Sequence, residues 1–169
     1  MPHTIVVVCV ALLVSCTVAP HSPASRYERW LDAGYQTKVQ DYHAFLKRDE
    51  VSDVVPMNAL LRTSRRWHLC RHDEFSIPPP ALWRNMTATL HVVRELRDAG
   101  ILDPALARSV YRDTAVNRCA GGSAGSKHRD NRAIDFDLPA NPENVARLCA
   151  SSATARAEVD MGIWRSSMR

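Results

Sequence analysis

The sequence holds six glycines, and three of them, Gly121, Gly122 and Gly125, crowd into one short stretch. Glycine tolerates sharp backbone conformations that a Cβ disfavours, so the chain is predicted to turn abruptly there, just ahead of His128. After the turn comes Arg132-Ala133-Ile134-Asp135-Phe136-Asp137-Leu138. As a strand, this segment sends Ile134, Phe136 and Leu138 to one face and Ala133, Asp135 and Asp137 to the other. The first face can pack on a core. The second presents two carboxylates beside a loop that bears a histidine, which is the pattern of a site.

The rest of the chain supplies a core for that strand. With 169 residues, 46% of them hydrophobic, the length and apolar content fit one globular domain and exclude a disordered tail. The spacing of Tyr27, Trp30, Leu31, Val39, Tyr42, Phe45 and Leu46 predicts an amphipathic helix, opened by a capping-box pattern at Ser25–Glu28. A short helix is expected over 56–62. A longer one is expected over 80–99, carrying Leu82, Met86, Leu90, Val93 and Leu96 and stopping at Gly100. Asn141-Pro142-Glu143 reads as the start of a fourth helix. Strands are expected over 108–112, 132–138 and 162–166. Helices first and short strands later give an α+β class.

The N-terminus reads differently. Ile5 to Val14 is the one continuously apolar run, about half the ~20 residues that span a bilayer, and its position suits the apolar core of a secretory signal. Leu13-Val14-Ser15-Cys16 closes it in the manner of a bacterial lipobox. The expected organisation is a signal peptide over 1–16 with Cys16 lipidated, a small, proline-rich tether over 17–25, and one domain over 26–169. A lipid on Cys16 would hold the exported domain at a membrane, which places it in the bacterial periplasm or cell envelope. Cys70, Cys119 and Cys149 then remain for at most one internal disulfide, and spacing leaves the pair open. His68-x-Cys70-x-His72 has ligand residue types, but no fourth ligand pattern lies near, and a structural role is expected. The net charge of +4 is carried by basic residues scattered along the chain, so no nucleic-acid partner is expected.

The glycine-rich stretch carries more than a turn. Ser126-x-His128-x6-Asp135, with Ala133 two residues before the aspartate, resembles the S-x-H-x-x-G-x-A-x-D motif of the zinc D-Ala-D-Ala carboxypeptidase family. These are the peptidoglycan D,D-peptidases related to the vancomycin-resistance D,D-dipeptidases. Upstream, Tyr111-Arg112, Asn117 and Gly121-Gly122 are similar to the family's YR-x4-N…GG segment. The resemblance implies helices packed on a small mixed or antiparallel sheet that carries a metal cleft. It implies Zn2+ as cofactor, with His128 and Asp135 as ligands, and peptidoglycan stem peptides as substrate. Arg112 matches an arginine that stabilises charge on the substrate or intermediate, and Ser126 a serine that contacts substrate. Asp137 is a candidate partner for the ligands.

Two positions depart from the family pattern. Asn131 stands where the motif has glycine, a substitution that suits a left-handed backbone better than most. The family's third zinc ligand is a late histidine, and no histidine follows His128. The chain therefore reads as a family member incomplete at its C-terminal end. The alternative expectation is a non-catalytic, peptidoglycan-binding lipoprotein of the same fold.

Overall fold

A computed structural model of the chain describes residues 22–138 and 142–154. The signal segment with Cys16, most of the tether and the strand expected over 162–166 lie outside the described residues.

The first helix, α1 (Pro23–Trp30), begins earlier than the sequence pattern suggests. Ser22 is its cap, accepting from the Ser25 N–H at 3.2 Å, and Pro23 fills the first turn, where a missing N–H costs nothing. The expected tether therefore gives way to structure at Pro23. The single helix expected through Leu46 is interrupted by a π-helical segment, Leu31–Tyr35, at whose end Gly34 takes φ +104°. The kink lets Trp30 stack on Tyr35, with ring centroids 4.4 Å apart. Beyond it α2 (Gln36–Arg48) turns Val39, Tyr42 and Leu46 inward.

A short α3 (Met57–Leu60) follows, and α4 (Trp83–Asp98) buries Met86, Leu90, Val93 and Leu96 against α2 before Gly100 ends it at φ +65°. Helical spacing picks out these four and Leu82, which instead lies half-buried in the 3-10 turn Pro80–Leu82 just ahead of α4. Val51, Val54, Val55, Phe75, Ile101, Val110, Ile134 and Leu148 complete one core. Among the described residues no helix is long and apolar enough to cross a membrane.

On this helical layer lies a two-stranded antiparallel sheet, β1 (Ala107–Ser109) and β2 (Asp135–Phe136), pairing Ala107 with Phe136 and Ser109 with Asp135 across an irregularity. Both strands are shorter than the sequence pattern predicts. The reason is that the next residues change partners: Val110 N–H donates to Arg62 O at 2.8 Å, and Arg112 N–H to His128 O at 3.1 Å. An isolated bridge, Arg62 to Phe75, extends the hydrogen bonding on the far side. The remaining helices are α5 (Thr114–Cys119), capped by Asp113, and α6 (Pro142–Thr154). Cys70 and Cys119 form a disulfide that ties the 64–73 loop to the end of α5, while Cys149 is an exposed thiol. That bond removes Cys70 from any ligand set with His68 and His72. His72 instead faces Asp113 at 3.2 Å.

Candidate metal centre

The turn before His128 is built as its residues dictate. Gly121 takes φ +80°, and Gly122 packs so closely on Asn117 that a Cβ there would sit 2.1 Å from its Oδ1. Asn117 is buried and its amide donates to Ser123 O at 2.8 Å, so the Asn and the Gly-Gly pair brace one another. Asn131 closes the loop at φ +56°, the left-handed backbone expected of the motif's glycine position. Fully buried, it donates to Tyr42 Oη at 3.3 Å and Leu82 O at 3.2 Å, and so fastens the loop to α2 and the start of α4. Burial pushes the Tyr42 hydroxyl up to about 12, offset in part by that hydrogen bond.

His128 is held twice by one neighbouring segment. Its carbonyl accepts from Arg112 N–H, and its Nδ1 lies 2.6 Å from Val110 O. A carbonyl only accepts, so Nδ1 carries the proton and donates. The Nε2 atom then faces Asp135 Oδ1 at 3.3 Å, both side chains being buried. Two electron-rich atoms at that distance in a dry site need a cation between them, either a proton on Nε2 or a metal ion. The spacing suits a metal. Two donors each about 2.0–2.1 Å from zinc at tetrahedral corners are about 3.3–3.4 Å apart. The Val110 carbonyl is also the kind of outer partner that fixes a ligating imidazole. His128 and Asp135 thus fit two corners of a zinc site. Among the described residues no group of three or more His, Cys, Asp or Glu side chains gathers.

Arg112 sits on the other oxygen of the same carboxylate, its Nη2 donating to Asp135 Oδ2 at 2.5 Å and its Nε to Ser109 Oγ at 2.7 Å. Ser109 in turn donates to Thr63 O at 2.8 Å. Burial lowers the Arg112 pKa, and the Asp135 charge works against that shift. The sequence pattern gives Arg112 a role toward substrate; in the structure it first orients Asp135. Two of its five N–H groups are spent in these two bonds, which leaves donors on the fork for a substrate oxygen.

Three of the four sequence-predicted site residues in the domain therefore meet: Arg112, His128 and Asp135. Ser126 lies half-buried in the same turn, its N–H donating to Ser123 O and its carbonyl accepting from Arg129 N–H. Asp137 does not join them. It pairs with Arg65 and Arg108 at the other end of β2, so the two carboxylates expected on one site face serve two different clusters. Ser109, Thr63 and the Val110 carbonyl escape sequence reasoning. The alternation of buried Ala107 and Ser109 about exposed Arg108 is the one available signal, and it indicates burial without a partner.

No curated protein and no solved structure matches the chain. A family model does, over residues 61–167, well over half of the sequence and spanning every residue of the site. The match agrees with the resemblance carried by the Tyr111–Leu138 motifs, and the members of this family are peptidases that are generally zinc-dependent. The chain belongs to the Peptidase M15 family.

Proposed function

We propose that the protein is an exported, zinc-dependent peptidase that hydrolyses a peptide bond at the D-Ala end of peptidoglycan stem peptides. The observation that carries this reading is the 3.3 Å approach of His128 Nε2 to Asp135 Oδ1, with Nδ1 committed to a carbonyl. Zinc, when bound there, would polarise the peptide carbonyl and lower the pKa of its water toward ~7. The protein's own groups supply the frame. Val110 O fixes the His128 tautomer, Arg112 holds Asp135 in place, and the free donors of Arg112 are available to charge developing on the substrate oxygen. Ser126, two residues before His128, is assigned to substrate contact on the strength of the motif.

The lipobox-like Leu13–Cys16 segment supports export and a lipid anchor on Cys16. On this reading Cys16→Ala releases the protein from the membrane fraction. Recovery of the parent itself in the soluble fraction would remove the anchor.

A second reading, a peptidoglycan-binding lipoprotein without catalysis, is favoured by the two-donor set among the described residues. The two separate in one assay, in which full-length protein supplied with zinc meets a peptide ending in D-Ala-D-Ala. The first reading predicts release of D-alanine that falls more than about 100-fold in His128→Ala. Binding of the peptide without release would establish the second. Release undiminished in His128→Ala would overturn the site assignment.

A further inference from the structure

Beside the His128–Asp135 site, at the other end of β2, four arginines from three separate stretches of chain surround one open pocket of about 270 Å³. Arg26 comes from α1, Arg62 and Arg65 from the segment after α3, and Arg108 from β1; Glu74 and Asp137 share the lining. The volume falls just below the about 300–1,000 Å³ of pockets for drug-sized ligands, which suits one anionic group with its stem.

The charges in this pocket do not balance. Glu74 is engaged by Arg26 through two hydrogen bonds, at 2.6 and 3.0 Å. Asp137 is shared between Arg65 and Arg108. Among the described residues, four guanidinium groups against two carboxylates leave two positive charges in excess. Arg62 is where the excess is felt. Its Nη1 donates to Ala107 O at 3.0 Å, but its Nε is buried with no hydrogen-bond partner among the described residues. Burial and then the neighbouring Arg108 lower its pKa, the condition that an added anion would relieve. A buried guanidinium N–H left unpaired is costly, and an oxyanion is the ligand a guanidinium fork fits best.

We propose that this pocket is a carboxylate subsite, receiving an acidic side chain of the peptide held at His128 and Asp135. The proposal rests on the peptidase reading for its substrate. Its placement follows from the strand: Asp137, in the pocket wall, is two residues along from Asp135, about 6–7 Å in an extended chain. A bound peptide in extended conformation places a neighbouring side chain at the same interval from its scissile bond. Peptides carrying Glu near the cut end are then preferred over the same peptides carrying Gln.

The test is calorimetric binding of a Glu peptide, its Gln counterpart and inorganic phosphate to the full chain without added metal, where no cleavage intervenes. The Glu peptide is expected to bind roughly tenfold or more tightly than the Gln peptide. Arg62→Gln should abolish that preference, and so in part should Arg65→Gln, whose half-exposed side chain makes it safe for folding. Equal affinity for the two peptides overturns the proposal, as does a preference that survives both variants. Binding of phosphate without a Glu preference would mark a free-anion site and overturn it equally. In a parallel assay with zinc supplied, failure to cleave either peptide, beside a Glu preference in binding, would sustain the subsite while removing the peptidase reading. Cleavage of both with one KM would do the reverse.

Discussion

Asp135 and Asp137 are the same residue type, two positions apart, one in β2 and one just past it, and each is paired with arginine. Their surroundings make them different instruments. Asp135 has a side chain 6% exposed, and its partner Arg112 is 12% exposed. Asp137 is 35% exposed, and Arg65 and Arg108 are 44% and 43% exposed. In the first pair both charges have left water, so each depends on the other and on Ser109 and His128. In the second, water screens the charges, and side-chain entropy offsets much of the attraction. Burial, more than residue identity, turns a carboxylate into a fixed group whose position is settled before anything binds.

The sharpest way to break this comparison is to remove each carboxylate in turn. Asp135→Ala strands the Arg112 guanidinium in the interior and should cost about 3–5 kcal/mol of unfolding free energy in denaturant titration. A loss under about 1 kcal/mol would place Asp135 with Asp137. Next in size is an alkaline effect behind the site, where the Tyr42 hydroxyl meets Asn131. Its folded pKa of about 12 is above the ordinary 10.0, so the group's contribution is complete below pH 10 and fades as pH rises toward 12. The full span is worth about 2–3 kcal/mol. Stability curves of Tyr42→Phe should lack this decline between pH 10 and 11.

Ser109→Ala removes the hydroxyl that links Arg112 to Thr63 and should cost about 1–3 kcal/mol, read in the same denaturant titration. The smallest effect is expected of Asp137→Asn, under about 1 kcal/mol and fading as salt is added. A large, salt-insensitive loss there would erase the contrast.

Much of this site is legible in sequence because backbone geometry demands particular residues. Gly122 fits against Asn117, Asn131 tolerates its positive φ, and His128 and Asp135 follow at motif spacing. Helical spacing likewise shows Tyr42, Leu46, Met86, Leu90, Val93 and Leu96. What spacing hides is long-range pairing. Nothing local tells Asp135 from Asp137, since their partners Arg112, Arg65 and Arg108 lie at least 23 residues away. The cluster of Arg26, Arg62, Arg65 and Arg108 is invisible for the same reason: basic residues scattered in sequence meet only after folding. The kink at Gly34 and the early start of α1 at Pro23 show the limit of period counting. Periodicity continues across a bend that one glycine permits, and a cap at Ser22 moves a boundary that periodicity does not register.

The most direct test of the central claim, that His128 and Asp135 are metal ligands and Asp137 is not, is zinc stoichiometry and affinity by metal analysis and chelator competition. It would be run on the parent, His128→Ala, Asp135→Ala and Asp137→Ala. The account predicts one zinc per chain in the parent and in Asp137→Ala, and loss of that zinc in the other two variants while circular dichroism still reports the helices. A folded parent without zinc, or zinc retained equally by His128→Ala and Asp135→Ala, would contradict it.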